Sequence, residues 1–271
     1  MPRIDSAGLT HRQLVEKIVN DPGVQRLAER AVADNPRVVE AQRLYAEAAR
    51  GVLADIAPLV PDLQEIGHRM VRVGDLYQVA VFSLDAEGNE LSRRPIDYRA
   101  AVPAMLEWLP KITYYPLADD IVRALSEGFA KKQARPVLLR LFRDPPPVGD
   151  PQFPEADAQR REDLRVTIGQ GLAKFADPSV ADEYIELATN RSYGRARCLI
   201  VDPGLAKTKD ERVPGILLDL LDDPEVAADA VKALGKLRHV PARARISQAL
   251  ASPDENVRDQ AKKALERIGD R

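Results

Sequence analysis

The residue types that most often do chemistry are sparse in this chain and form no recognisable catalytic pattern. The three histidines, His11, His68 and His239, are far apart, and none has the spacing of a zinc-binding HExxH motif. The single cysteine, Cys198, lies in an alanine-rich segment, where a thiol more often fills space than attacks a substrate. We therefore predict no catalytic residue, no metal site and no cofactor.

Two pairs of adjacent carboxylates could do acid–base chemistry, but they have a simpler explanation. Asp119-Asp120 and Asp222-Asp223 both lie at expected helix starts or turns. There a carboxylate caps free N–H groups and compensates the helix dipole. We assign both pairs to capping, and the sequence favours a protein without enzymatic activity, although it leaves an enzyme open.

A positive charge recurs along the chain and is the pattern that most suggests binding. Each cation follows a small residue by three positions, in letters such as GFAK, GLAK and ALGK. In the last turn of a helix such a cation compensates the dipole, and stacked helices would align these cations in a stripe. The stripe consists of Lys131, Lys174, Lys207, Lys236 and Arg267.

Further cations on the same helices extend this stripe to a possible basic face. Dipole compensation and a basic binding groove both remain open as interpretations. A groove of this kind would bind an acidic segment of another protein or the phosphates of a nucleic acid. The further cations are Arg123, Arg165, Arg195, Arg197, Arg258 and Lys262.

The small residues recur with a period that predicts a helical repeat. Their separations are 43, 33, 29 and 31 residues, and a period of about 30 is typical of a solenoid. A side chain no larger than a methyl group lets neighbouring helices cross at close range. This small-residue column consists of Gly128, Gly171, Gly204, Ala233 and Ala264.

Each unit is predicted to pair a second helix, which contains the column, with a preceding first helix. Apolar residues at three- and four-residue spacing indicate these helices, and Ser252-Pro253-Asp254 supplies turn and capping residues between two of them. Proline is tolerated in the first turn of a helix. It stands near the start of four first helices, at Pro103, Pro136, Pro214 and Pro241.

The one long interval is explained by a proline-rich insertion at 143–163, whose prolines and charges predict a loop. A partner-contact or regulatory loop and a tolerated flexible insertion are both consistent with it.

The letters VPGILLDLLDDPEVAADAVKALGKL and ENVRDQAKKALERIG resemble the HEAT-repeat family, in particular short bacterial units of the phycobilin-lyase-like type. The resemblance implies an all-α, right-handed, armadillo-like solenoid of antiparallel helix pairs whose concave face binds other proteins. It carries no shared catalytic residues. Asp202-Pro203-Gly204 departs from the pattern and predicts a kink in the second helix of the third repeat.

The predicted organisation is an N-terminal helical cap over 1–97 and about five HEAT-like repeats over 98–271. The cap would cover the exposed face of the first repeat. One segment of the cap, 78–93, has strand character, and a short hairpin turning at Glu87-Gly88-Asn89 and a helix followed by a loop both fit it.

Composition and charge limit the remaining possibilities. The net charge of −2 argues against a surface built wholly for nucleic acid or anionic membrane. With one cysteine and no long apolar run, we expect a cytoplasmic protein without a membrane span. We predict a non-catalytic scaffold that binds a protein on the concave face. A DNA-glycosylase-like, nucleic-acid-binding solenoid is the alternative, and a tetrapyrrole lyase is a third. The oligomeric state stays open.

Overall fold

The computed structural model describes residues 35–85 and 90–269, most of which are helical. The chain divides into two compact units, Met1–Ala48 and Ala49–Arg271. The helices predicted before residue 35, and the turn of the predicted hairpin, lie outside the described residues.

Of the first unit, the described residues 35–48 belong mainly to the first described helix. There Arg43 forms ion pairs with Glu40 and Glu47, one turn away on either side.

In chain order the described helices are α1 (Pro36–Ile56), α2 (Pro61–Glu65), α3 (Asp75–Gln78), α4 (Val102–Trp108), α5 (Tyr115–Leu125), α6 (Lys131–Arg143), α7 (Asp157–Phe175), α8 (Ala181–Thr189), α9 (Ala206–Thr208), α10 (Val213–Asp219), α11 (Ala227–Lys236), α12 (Arg243–Ala249) and α13 (Glu255–Ile268). The two described strands are β1 (Ala80–Leu84) and β2 (Glu90–Pro95).

The second unit is an α-solenoid of stacked helix pairs, as the repeat pattern predicts. The first helices are α4, α6, α8, α10 and α12, and each precedes a longer or more buried second element. Four second elements are regular helices: α5, α7, α11 and α13. The third is the irregular segment, residues 191–208, which combines 3₁₀, π and α turns.

The second elements pack against one another in sequence order, and we call them together the second-helix row. Helix α5 contacts α7, α7 contacts the irregular segment, that segment contacts α11, and α11 contacts α13. Within pairs, α7 also packs on α6 and α13 on α12. Each unit therefore depends mainly on its neighbours, as in other repeat proteins.

Small residues allow this close packing, as the column predicts at most of its positions. Ala233 and Ala264 are fully buried, and a Cβ on Gly171 would overlap the Ser126 hydroxyl. Gly235, which is outside the predicted column, fits still more tightly, because a Cβ there would lie 2.7 Å from the Cα of Ala264. The prediction is wrong at Gly128, where a Cβ would meet nothing within 4 Å.

The error at Gly128 arises because α5, the second helix of the first repeat, is shorter than predicted. Helix α5 ends at Leu125, where the Ser126 hydroxyl donates to the carbonyl of Val122 at 2.6 Å and competes with continued helix bonding. Lys131 consequently begins α6 and does not close the preceding helix. For the same reason Pro136 lies inside α6 and not near its start.

The proline-rich insertion is shorter and more ordered than the predicted 143–163 loop. Helix α7 already begins at Asp157, because residues 157–163 contain good helix formers and follow the last proline, Pro154. The non-helical part is fixed to the start of α5. The N–H of Gly149 donates to the Thr113 carbonyl and the N–H of Tyr115 donates to the Gly149 carbonyl, both at 2.9 Å.

The predicted kink in the second helix of the third repeat is confirmed. Asp202 has extended backbone angles, φ −133° and ψ 114°, in the middle of the irregular segment. Gly194 interrupts the same segment earlier with φ 49°, a left-handed conformation that favours glycine.

The strand character of 78–93 is confirmed as an antiparallel hairpin of β1 and β2. A buried carboxylate anchors it to the helical unit. Asp62 in α2 accepts hydrogen bonds from the Arg94 guanidinium of β2, at 2.8 Å from Nη2, and from the N–H of Asp97 at 2.8 Å. The hydrogen bonds from Arg94 and then from Asp97 lower the pKa of Asp62 to about 2.

This anchor predicts a specific acid sensitivity. The Asp62 carboxyl titrates near pKa 3.9 when unfolded and about 2 when folded, so it stabilises the fold above about pH 4. That contribution is lost as the pH falls through about 2. We expect Asp62→Asn to lower the denaturant midpoint at pH 7. The difference in midpoint between variant and wild type should become smaller below pH 4. A difference in midpoint that does not change with pH would contradict the assignment. Asp259→Asn, at an exposed carboxylate, is the control.

Candidate binding surface

The solvent side of the second-helix row is built from charged and polar side chains of both signs. On α5, Tyr115, Asp119 and Arg123 are the half-buried or exposed residues at four-residue spacing. On α11, all residues are buried except Asp229, Lys232 and Lys236. The row therefore presents a mixed-charge surface, with cations and carboxylates side by side.

Every cation of the predicted basic face except the exposed Arg267 has a hydrogen-bond or ion-pair partner among the described residues. Eight of the ten candidate binding residues lie within 4 Å of a carboxylate, and two donate to backbone carbonyls. The carboxylate pairs are Arg123–Asp119, Lys131–Asp177, Arg165–Glu162, Lys174–Glu127, Arg195–Asp229, Arg197–Asp223, Lys236–Asp202 and Lys262–Asp259. Lys207 donates to the carbonyl of Ala173, and Arg258 to those of Ser252 and Pro253.

Two of the predicted binding residues are too buried to contact a partner. The side chain of Arg197 is 0% exposed and that of Arg165 is 10% exposed. Arg165 donates from Nε to the carbonyl of Phe142 at 2.9 Å, so it holds α7 to the end of α6. The sequence does not indicate whether a long cationic side chain faces solvent or the interior of the protein. The prediction of a binding role is wrong at these two positions.

Several of the stripe cations connect neighbouring units. Lys236 of α11 lies 2.9 Å from Asp202 in the irregular segment, and Arg195 of that segment lies 2.6 Å from Asp229 of α11. Lys174 of α7 lies 3.2 Å from Glu127, which follows α5. These cations thus connect α7 to the region that follows α5, and the irregular segment to α11, a role that neither dipole compensation nor a uniform basic groove describes.

The carboxylate at the centre of these contacts is Asp202, for which the sequence predicts a kink but not an ion pair. The side chain of Asp202 is 0% exposed and is held by Lys232 at 3.0 Å as well as by Lys236. Lys232 was also missed. The spacing of about one repeat between Asp202 and these lysines could have indicated the pairing, since such residues align in neighbouring units.

The carboxylate pair in α5 has a different role from the predicted capping. Asp119 and Asp120 lie in the middle of the helix, where neither caps its start. Asp120 accepts a hydrogen bond from the Tyr77 hydroxyl at 2.8 Å and from the Arg72 guanidinium at 3.2 Å. Burial of the Tyr77 hydroxyl, and then its hydrogen bond to Asp120, raise the pKa of Tyr77. Asp119 accepts from Thr167 of α7 at 2.6 Å, which again connects two units.

The residues that could do chemistry show no catalytic arrangement in the part of the chain that the structure describes. No group of three or more His, Cys, Asp or Glu there could hold a metal ion. Burial, and then the nearby Asp229, raise the pKa of the Cys198 thiol, which disfavours the reactive thiolate. His68 lies 3.5 Å from Asp75, and His11 lies outside the described residues.

The aromatic side chains near the row have their faces occupied. Tyr193 lies under the guanidinium of Arg165 at 5.5 Å and against the edge of Phe142. Tyr115 is covered by Arg160 at 5.0 Å. Trp108 donates its indole N–H to Asp55 at 2.8 Å.

These features define an α-helical repeat protein of HEAT-like type. Residues 216–271 match the family model for HEAT repeats, which agrees with the resemblance seen in the last two units. Among solved structures, the chain is similar to the designed armadillo repeat protein YIII(Dq)4CqI, with 14% identity, 88% of this chain and 98% of that chain covered, and a TM-score of 0.36. No curated protein matches the chain.

Within the described ranges, no helix is long and apolar enough to cross a membrane.

Proposed function

We propose that this chain is a non-catalytic scaffold that binds another protein along the solvent side of the second-helix row. HEAT and armadillo repeats generally serve as protein-interaction modules. The observation that carries the proposal is the pairing of all ten candidate binding residues with a carboxylate or a carbonyl of the same chain. This surface of alternating charge suits a partner that itself carries both signs, and acidic side chains of the partner would meet the exposed Arg123, Lys174 and Lys262.

The same pairing disfavours the nucleic-acid alternative. Phosphates bind through cations that release counterions, and here the predicted cations, except Arg267, already have an internal anion or carbonyl. Single-stranded bases would also need open aromatic faces on which to stack, whereas Tyr115 and Tyr193 are covered by arginines.

A salt-dependent binding experiment separates the two functions. We expect the purified protein not to bind a short labelled DNA duplex at about 50 mM salt, a concentration at which phosphate contacts are strong. Tight binding there that is lost at about 200 mM salt, and lost in a charge-reversal variant, would support the nucleic-acid function. The variant should be Arg123→Glu with Lys262→Glu, because both side chains are exposed.

Photo-crosslinking tests the protein-binding surface directly. A photoreactive amino acid at Gln170, exposed on α7, should capture a discrete protein from cell lysate, and the charge-reversal variant should lose that capture. The same amino acid at Lys132, exposed on α6 in the other layer of helices, is the matched control. Equal capture from both positions would contradict a partner on the second-helix row.

A further inference from the structure

A pocket opens between the fourth and fifth repeats, on the edge of the array where the second helices begin. It has a volume of about 420 Å³, within the range of about 300–1,000 Å³ that is usual for ligand sites. Its lining residues come from the turns before α11 and α13 and from α12. None of the ten candidate binding residues lines it, so it is a surface separate from the second-helix row.

Small apolar side chains form the floor of this pocket. Ala227 and Val257 line it and are 6% and 7% exposed, and Ala249 packs against the same cluster. Protein interiors are normally close-packed. Because alanine and valine side chains are short, they leave a space between the two repeats that a longer side chain from outside can enter.

The rim of the pocket carries more negative than positive charge. Asp222 and Asp254 line it, and Arg245 supplies the one positive charge among the described lining residues. Arg245 lies 2.8 Å from Asp222. Asp254, in contrast, lies within ion-pair distance of no cation in the described part of the chain, and the neighbouring Arg258 donates instead to two backbone carbonyls of the turn.

The preceding pair of repeats shows which side chain fills the equivalent position there. Arg197 and Val226 each lie seven residues before the small-residue column of their repeat, and Asp223 and Asp254 each lie ten residues before it. Between the third and fourth repeats, the buried Arg197 lies 2.9 Å from Asp223. Between the fourth and fifth repeats, the equivalent residues are Val226 and Asp254, and a valine side chain has no hydrogen-bond donor.

Both aspartates have one oxygen engaged at the start of their helix. Oδ1 of Asp223 accepts from the N–H of Glu225 at 3.2 Å, and Oδ1 of Asp254 accepts from that of Asn256 at 2.8 Å. The other oxygen of Asp223, Oδ2, is the one that pairs with Arg197. The same oxygen of Asp254 has no hydrogen bond or ion pair with a described residue, so it leaves room for a cation from outside the chain.

We propose that this pocket binds an arginine side chain of another protein, in the position that the chain's own buried arginine occupies one repeat earlier. The aliphatic part of the guest arginine packs on Ala227 and Val257, and its guanidinium contacts the carboxylates of Asp254 and Asp222. A guanidinium suits two carboxylates better than an ammonium does, because its N–H groups form a rigid fork. An apolar neighbour of the arginine packs against Ala249. This proposal does not depend on a partner at the second-helix row.

A short peptide tests the pocket. The probe is the blocked peptide Ala-Leu-Arg-Ala, titrated at low salt into the full chain with isotope-labelled alanine methyl groups and followed by NMR. We expect saturable shifts of the Ala227, Ala249 and Ala251 methyl signals with a Kd of about 1 mM, since two side chains supply few contacts. The same peptide with citrulline in place of arginine keeps the shape without the charge, so it should bind about tenfold more weakly.

Three variants of the protein locate the contact. Asp254→Asn removes the charge, and asparagine is an equally good N-cap, so α13 should keep its start while peptide binding weakens about tenfold. Asp259→Asn changes the net charge equally at an exposed carboxylate of α13 outside the pocket, and it should leave binding unchanged. Ala251→Trp, at an exposed position on the rim, should fill the opening and abolish the peptide-induced shifts.

Four results would overturn the proposal. Equal binding of the arginine and citrulline peptides would exclude the charge contact. Equal binding by Asp254→Asn and wild type would exclude this carboxylate as the partner of the arginine. Shifts that are absent at about 10 mM peptide, or confined to residues outside the pocket, would exclude the site. If the wild type forms dimers in analytical ultracentrifugation that Asp254→Asn abolishes, the occupant is an arginine of a second copy of this chain.

Discussion

Replacement of Gly171 by leucine is expected to lower the free energy of unfolding by about 3 kcal/mol, near the upper end of typical overpacking costs. The Cβ of any larger residue would overlap the Ser126 hydroxyl and lie 3.3 Å from Leu138. Because α7 packs on both α5 and α6 at this point, the side chain cannot turn away without separating two units. For a chain of this size, we expect the melting temperature to fall by about 10 °C.

Gly128→Leu is the matched control for this experiment. It is in the same sequence column, but a Cβ there meets nothing within 4 Å, so the melting temperature should stay close to that of wild type. Lys174→Glu, at a side chain 57% exposed, should also leave the protein folded. Circular dichroism during heating measures all three; equal effects of the two leucine variants would show that the close approach at Gly171 does not limit packing.

Arg197→Met is expected to cost about 3–5 kcal/mol, because it leaves the buried Asp223 carboxylate with only the exposed Arg191, 3.5 Å away, as a cation. Arg197 lies 2.9 Å from Asp223, whose side chain is 3% exposed. Its Nε and Nη1 also donate to the carbonyls of Gly194 and Ala188, at 2.9 and 3.0 Å. Methionine fills similar space but satisfies none of these groups. Urea denaturation at pH 7 measures the loss.

Two further variants identify the cause of that loss. Arg212→Met removes an exposed arginine that pairs with Asp182 and Asp210, and it should lower the urea midpoint much less than Arg197→Met does. Adding Asp223→Asn to Arg197→Met removes the buried carboxylate charge, so the double variant should recover about half of the lost stability. A double variant no more stable than Arg197→Met would indicate that lost carbonyl contacts, and not the buried charge, dominate.

The repeat period and the helical class were predictable because they depend on local properties of the sequence. Apolar spacing, small residues and the Ser252-Pro253-Asp254 turn are each read within a few residues, and Asp254 does cap α13 by accepting from the N–H groups of Asn256 and Val257. The end of α5 was misplaced because the hydroxyl of Ser126 can continue or end a helix with similar ease.

The candidate surface was harder to predict because it depends on pairs distant in sequence. The cations were located correctly on the second elements, apart from Lys131, but their partners lie mostly in neighbouring units. Arg197 illustrates the problem. It belongs to an arginine-rich stretch that looks exposed, and it is buried because this stretch packs on α7 and α8 and meets Asp223. Helical spacing shows which residues share a face, but not which carboxylate of the next unit meets them.

The buried pair of Arg197 and Asp223 also limits how this array could change in evolution. Repeat proteins often gain or lose units by duplication or deletion, since one unit stacks on any copy of its neighbour. Here a deletion between Arg197 and Asp223 would leave one member in the interior without its counterpart, and a duplicated unit would bring a second charge into the same space. Loss or duplication of the third or fourth repeat alone is therefore expected to destabilise the array.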